Sequence, residues 1–381
     1  MRIAIFTDTY APEINGVART LNRLTGYLKE NQVDFQVFAP ESSTQVPTVA
    51  QVQRFTSLPF LLYRECRLAI PNPAQIKLTL EKFNPTFIHI ATPFNLGLYG
   101  LHYAKKHGIP IVASYHTHFD DYLHYYNLQF LEKWIWRYMT WFHRPCEKVY
   151  VPSLETKEKL LKHSIHDNID IWGRGVDHTF FSPVKRTTAI REKYRIREKH
   201  ILLYVGRISP EKEINLALET FHSLPKQVKN NTHFLVVGDG PLLKTLSEST
   251  SDNVTFTGFI EGEELANIYA SSDIFLFPSA TETFGNVVLE AMASGLPVVG
   301  ARAGGVQQLI THEQNGYLCE PGKTESFKAA VQSLIESRLL RAEMASKAQK
   351  FAKDQSWDDI FSRLLSSYTQ ISKEKKKLIT A

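Results

Sequence analysis

Glu282 and Glu290 lie within the run TETFGNVVLEA, which joins an apolar stretch, Ile274–Phe277, to a helix expected to open near Asn286. In an open α/β sheet, ligands bind beyond the carboxyl ends of the strands, where the following helix presents N–H groups without intrahelical partners. Glu282 then falls in the loop and Glu290 about one turn into the helix, so both can face one crevice. Two carboxylates beside the backbone amides of Thr283, Phe284, Gly285 and Asn286 suit a ligand that is rich in hydroxyls and carries negative charge. The plainer reading of any two glutamates is a pair of solvated surface acids, so the neighbouring stretches decide between the two.

Four further strand ends bear on a phosphorylated ligand. Thr7–Ala18 is a polar loop that runs into a helix. Gly16 has no side chain, so a phosphate can approach the amides at the positive end of that helix, although a plain turn glycine reads equally well. Gly206–Lys212 (GRISPEK) again follows a strand and precedes a helix. Its Arg207 and Lys212 put two cations where a diphosphate would gather charge, and arginine can clamp phosphate oxygens with paired hydrogen bonds. A basic pair there opposes the helix macrodipole and is unfavourable unless an anion or an acid offsets it. Gly238-Asp239-Gly240-Pro241 begins like a dinucleotide fingerprint but lacks the third glycine, which speaks against a nicotinamide site. Ser114-Tyr115-His116-Thr117-His118 ends another strand, and a histidine there could hydrogen-bond a sugar hydroxyl. A His-x-His metal pair would need acidic or cysteine ligands, which do not cluster nearby, and no Asp-x-Asp motif occurs. Leaving-group charge would then fall to Arg207, Lys212 and helix N-termini.

Asn127–Arg144 (NLQFLEKWIWRYMTWFHR) is a different kind of feature. Two readings stand side by side. It is a helix in a membrane interface, with its tryptophans at headgroup depth and Lys133, Arg137 and Arg144 near anionic lipid, or a core helix under the first sheet.

These pieces need elements to hold them. A chain of 381 residues exceeds one ordinary core and predicts two domains. With 43% apolar and 22% charged residues it has the profile of a soluble globular protein, and no uncharged apolar run approaches the roughly 18 residues of a membrane span. MRIAIF is a strand-like run followed at once by Asp8, so no secretory leader is expected. Cys66, Cys146 and Cys319 are odd in number and scattered, which supports neither a disulfide framework nor a zinc site and places the chain in the reducing cytoplasm. A net charge of +5 suits anionic ligands or an anionic membrane surface.

Apolar, β-branched runs alternate with helical periodicity throughout, the pattern of a parallel sheet covered by helices. Strands are expected near Ile3–Thr7, Phe35–Ala39, Phe87–Ala91, Ile111–Ser114, Val149–Pro152 and Ile169–Trp172, then near Ile201–Gly206, Phe234–Gly238, Val254–Thr257, Ile274–Phe277 and Val298–Gly300. The two similar series imply two doubly wound α/β domains in tandem. The boundary falls in Gly173–Arg186, where glycine, proline and basic residues interrupt the periodicity, giving domains 1–178 and 179–355. A last helix, 356–373, carries an apolar stripe of Ile360, Leu364, Leu365 and Tyr368, and the basic tail 374–381 is expected to fray.

Taken together, Glu282-x7-Glu290, GRISPEK, GDGP, the Asn15-Gly16-Val17 loop and SYHTH resemble the retaining glycosyltransferases of family 4, in the expected order and over nearly the whole chain. SYHTHFDDYL, RGVD and GARAGGV are most similar to the branch with sulfoquinovosyl-diacylglycerol synthases and with mannosyl- and glucosyltransferases acting on lipids. The resemblance implies the GT-B fold, two Rossmann-like domains facing across a cleft, with the acceptor in the N-terminal domain, the donor in the C-terminal one and the last helix crossing back. It implies a metal-independent transfer of a hexosyl group from a nucleotide-diphosphate sugar, of the GDP-mannose or UDP-glucose type, to a hydroxyl of a membrane lipid such as diacylglycerol or a glycolipid. No bound cofactor and no nucleic acid are expected, and the enzyme would be cytoplasmic, peripheral on the inner face of the membrane.

Residue by residue, the same resemblance gives Glu290 the donor ribose, Glu282 and Thr283–Asn286 the donor sugar, and Arg207 and Lys212 the diphosphate. Gly16 would line the phosphate side, the base would be read around Gly258 and Phe259, and His116 would lie near the transferred sugar. His118 has no matching role. Acceptor or membrane contacts are expected from Tyr10, Trp134, Trp136, Arg137 and Trp141. A soluble or polysaccharide acceptor and a non-catalytic nucleotide-binding surface protein are the alternatives. A glycan phosphorylase of the same architecture would need pyridoxal phosphate, and an NAD-dependent oxidoreductase would need the full glycine fingerprint.

Overall fold

The computed structural model describes the chain apart from residues 14, 43–48, 60–66, 117–128, 249–252 and 381, and the side chains of 59, 376 and 378–380. It divides into two compact units, Met1–Gly173 with Asp358–Ala381, and Arg174–Trp357. Each is built on a parallel sheet of the Rossmann type.

The first unit has β1 (Arg2–Phe6), β2 (Asp34–Pro40), β3 (Val52–Phe55), β4 (Ser57–Pro59), β5 (Arg67–Ala69), β6 (Phe87–Ile90), β7 (Ile111–Ser114), β8 (Lys148–Val151) and β9 (Ile169–Ile171). Seven of them form one sheet in the order β3-β2-β1-β6-β7-β8-β9, with β4 and β5 as a separate antiparallel pair. The central strands are continuous apolar runs because helices cover both faces of a parallel sheet; Ile3, Ala4, Ile5 and Phe6 are all fully buried. Ile3 pairs with Phe35 on one side and Phe87 on the other. The order reverses at β1 and β6, so the loops after these two strands leave the sheet in a crevice.

The C-terminal helix, Trp357–Thr380, belongs to this unit from Asp358 onward. It buries Phe361, Leu364, Tyr368 and Ile371, spaced three or four apart. Tyr368 Oη lies 2.9 Å from His89 Nδ1, Tyr150 Oη donates to Ser367 Oγ at 2.7 Å, and Lys375 Nζ reaches Glu147 Oε1 at 2.7 Å. That last contact holds the helix beyond Lys373, where the sequence had placed a fraying tail.

The second unit has β10 (His200–Val205), β11 (Thr232–Val237), β12 (Val254–Phe256), β13 (Ile274–Phe277), β14 (Val298–Ala301) and β15 (Gly316–Cys319), in the order β12-β11-β10-β13-β14-β15. Here the reversal lies between β10 and β13. The units part at Gly173, not at residue 178. Arg174 is already buried, and Val176 N donates to Gln355 O at 3.0 Å, so the strand of chain that enters the second unit is bonded to the one that leaves it.

All eleven expected strands are present, with ends moved by two residues at most, while β3, β4, β5 and β15 were not foreseen. Those four are three or four residues long and carry Arg, Gln, Ser, Pro or Gly, so they lack the apolar run that marks the rest. No helix among the described residues is long and apolar enough to cross a membrane, and no group of three or more His, Cys, Asp or Glu there could hold a metal ion.

Candidate active site

In the second unit the loops after β10 and β13 meet at the point where the strand order reverses, the usual place for a ligand in an open parallel sheet. The β10 loop closes in a short 3-10 turn, Pro210–Lys212, before the helix Ile214–His222. Lys212 Nζ donates to Glu282 Oε1 at 2.6 Å, and Thr281 Oγ1 donates to the Glu211 carbonyl at 3.0 Å. The structure thus brings Arg207, Lys212 and Glu282 onto two loops bonded to each other. Arg207 is itself 3.8 Å from the Glu211 carboxylate, which also accepts from Ser209 Oγ at 2.6 Å. Glu211 and Glu282 are therefore the acids that offset the basic pair at this helix start.

The helix Asn286–Ala293 opens immediately after that loop. Gly285, at φ +95°, turns the chain into it, a conformation that a side chain resists. No side chain among the described residues caps this end, where the positive end of the helix dipole lies. Asn286 Oδ1 is buried and makes no hydrogen bond among the described residues. One turn on, Glu290 accepts a hydrogen bond from Tyr269 Oη at 3.2 Å. Glu282 and Glu290 thus have different partners, the first a cation and the second a phenol. Gly258, at the end of the β12 edge, accepts from Gly238 N at 2.9 Å, which ties the proposed base side to the β11 loop.

In the first unit the corresponding reversal brings together the loops after β1 and β6. Asp8 N donates to Thr92 Oγ1 and that hydroxyl donates to Asp8 Oδ2, both at 2.7 Å. Burial pushes the Asp8 carboxyl up to about 7, against the Thr92 hydroxyl and the amides of Ala69 and Leu96, which pull it down. Asn15 caps the helix Gly16–Glu30 by accepting from Ala18 N at 2.9 Å, while its own amide donates to Thr9 Oγ1 at 2.7 Å. Gly16 is the exposed first residue of that helix. His116 follows β7, nearly buried, its ring 5.4 Å from that of Trp172. His118 lies outside the described residues.

Residues 14–180 match the model described as Glycosyltransferase Family 4, and residues 186–351 the one described as Glycosyl transferases group 1. A GDP-mannose-dependent alpha-mannosyltransferase of Corynebacterium glutamicum is 33% identical over 387 residues, covering 97% of this chain and 89% of that one. The chain belongs to glycosyltransferase family 4. An alpha-monoglucosyldiacylglycerol synthase of Streptococcus pneumoniae is 30% identical over 348 residues, 88% of this glycosyltransferase and 78% of that enzyme. Sucrose-phosphate synthase from Thermosynechococcus elongatus superposes with a TM-score of 0.80 over 97% of this chain and 99% of its own; at 19% identity this speaks for the fold, which is GT-B. The protein is accordingly a glycosyltransferase that uses a nucleotide sugar.

Two of the glycosyltransferase's expected acceptor or membrane residues are placed inward. Tyr10 is buried and its hydroxyl is 2.7 Å from Thr25 Oγ1, because the loop after β1 turns it under the Gly16 helix. Trp136, 8% exposed, stacks on His163 with ring centroids 3.8 Å apart. The helix Glu132–His143 has a buried face and an exposed one. Trp136, Met139, Phe142 and His143 face the core, while Trp134 (68% exposed), Arg137 and Trp141 (59%), at i, i+3 and i+7, share an outer face.

Sequence reasoning missed the brace beneath the Glu282 loop. Gly305 N donates to Glu282 O at 2.7 Å, and a Cβ on Gly305 would come within 2.4 Å of Thr283 O and Phe284 Cα. The signal was present in the glycine pair of GARAGGV, three residues past a strand.

Proposed function

We propose that this enzyme transfers a hexosyl group, with retention and without a metal ion, from a GDP-mannose or UDP-glucose type donor to a hydroxyl of a membrane lipid such as diacylglycerol or a glycolipid. The observation that carries the donor half is the junction of Arg207, Lys212 and Glu282 beside the uncapped start of the Asn286 helix. We assign the diphosphate to Arg207 and Lys212, the sugar hydroxyls to Glu282 and the amides of Thr283–Asn286, the ribose to Glu290, and the base to the Gly258 side. Gly16 and His116 of the first unit are assigned to the phosphate and to the transferred sugar.

In the reaction the bond from the anomeric carbon to the β-phosphate oxygen breaks, and the acceptor oxygen bonds to the same face of that carbon. The acceptor proton passes to the departing phosphate oxygen. No protein nucleophile is needed; what the site must supply is positive charge at the leaving oxygens and a fixed sugar, and two side-chain cations with a helix N-terminus supply it. The lipid half rests on the outer face of Trp134, Arg137 and Trp141, where indole rings and a guanidinium suit the headgroup layer of an anionic bilayer. Similarity to a glucosyldiacylglycerol synthase supports it, and a peripheral place on the inner membrane face follows from it.

The test is transfer from GDP-mannose and UDP-glucose to anionic vesicles containing diacylglycerol, with chelator present and the product's anomeric configuration read by proton NMR. The proposal expects an α-linked lipid product that persists in chelator, and vesicle binding that weakens in the Trp134→Ala, Trp141→Ala double variant. A β-linked product, loss of turnover with chelator, or transfer to soluble sugars alone would each overturn the corresponding part.

A further inference from the structure

Each proposed diphosphate cation is engaged by an acid. Lys212 Nζ sits 2.6 Å from Glu282 Oε1, and the Arg207 guanidinium 3.8 Å from Glu211. Both pairs are only partly open to solvent, so their charges are screened less than those of a surface pair. Glu211 is held in place from two sides, by Ser209 Oγ on its carboxylate and by Thr281 Oγ1 on its carbonyl.

We propose that Glu211 and Glu282 are internal counter-anions that compete with the nucleotide diphosphate for Arg207 and Lys212, and that this competition drives release of the nucleoside diphosphate product. The inference rests on the diphosphate reading of Arg207 and Lys212 given above. Its logic lies in what each ligand offers the displaced carboxylates. A sugar nucleotide that draws Lys212 away from Glu282 brings sugar hydroxyls for Glu282 to accept, so the exchange is nearly balanced. After transfer the product has no sugar, while its terminal phosphate carries an extra negative charge that holds the cations more strongly. Glu282, left without hydroxyls, is then free to take Lys212 back. The same carboxylate favours donor over product, and Glu211 adds a competition that does not distinguish them. Product release limits turnover in many enzymes, and where it does such a device raises kcat.

The test is calorimetric titration of UDP and GDP into the full chain, for wild type, Glu211→Gln, Glu282→Gln and Lys212→Ala, with product inhibition measured alongside. With the competing charge removed, Glu211→Gln and Glu282→Gln should bind the preferred diphosphate about 3- to 10-fold more tightly, and the product inhibition constant should fall alike. Glu282→Gln should not gain affinity for the sugar nucleotide, having lost its sugar contact. Unchanged or weaker diphosphate binding in both variants would overturn the proposal, since a sugar contact alone leaves diphosphate affinity unmoved and a purely structural role weakens it. Equal diphosphate binding by Lys212→Ala and wild type would overturn the diphosphate reading itself, and this proposal with it.

Discussion

Asp8 shows how a single buried group leaves a signature on the whole protein. Its folded-state carboxyl titrates at about 7, far above the 3.8 of an ordinary aspartate, because burial disfavours the charge. Below the unfolded value both states hold the proton and nothing is lost. Between the two values the unfolded chain ionises while the folded one does not, so stability falls as pH rises toward 7 and then levels off. Asp8→Asn keeps the shape of the protonated side chain and should remove this dependence. Between pH 5 and pH 8, wild type should lose about 2–3 kcal/mol relative to the variant in urea unfolding; an equal gap at both pH values would show that Asp8 does not ionise as described. His89, pushed down to about 3 by burial and engaged by Tyr368 and Ser114, has the opposite sense, its stability being full above the unfolded value and lost as pH drops below it. Glu282 and Glu290 also separate at this scale. Spacing alone suggests that Glu282 and Glu290 share a crevice, but which cation or hydroxyl each one meets depends on a turn 70 residues away and a helix 21 residues away in sequence.

At the scale of elements, the Glu282–Asn286 loop, to which the donor sugar is assigned, is shaped as much by what lies beneath it as by its own residues. Gly305→Ala would drive a methyl group into the backbone of Thr283 and Phe284, atoms that cannot rotate aside. Its expected effect is a rise of about tenfold or more in KM for the sugar nucleotide, from an overpacking strain of about 1–3 kcal/mol, with the helix and sheet content of the protein kept. An unchanged KM would mean that the loop does not depend on this brace. The elements themselves were mostly legible, because a strand covered on both faces must be written as an uninterrupted apolar run such as IFLF or HILLYV. Short edge pieces such as Ser57–Pro59 and Gly316–Cys319 bury less and leave no such mark. The Trp134–Trp141 segment was legible as a helix but not as to which side faced the core, since aromatic residues occupy both of its faces. The Gly305 brace escaped notice for a related reason: a glycine pair announces a close approach without saying what approaches.

At the scale of the molecule, two units of the same construction carry different chemistry where their strand orders reverse. In the first the reversal holds a buried acid, a capped helix and an exposed Gly16, and in the second two cations, two acids and an uncapped helix. The concentration of ligand-seeking charge in Arg174–Trp357 is what makes that unit the proposed seat of the nucleotide sugar. The chain returns to the first unit through a long helix, which Tyr368 anchors at the end of the apolar stripe visible in the sequence and Lys375 anchors beyond it. The central claim is that Arg207 and Lys212 neutralise the departing diphosphate. The most direct measurement is kcat/KM for transfer from the preferred sugar nucleotide by Arg207→Ala and by Lys212→Ala, with thermal unfolding followed in parallel. A loss of about 100- to 1,000-fold is expected in each at an unfolding temperature close to wild type; near-normal transfer by either variant would contradict the diphosphate role of both cations.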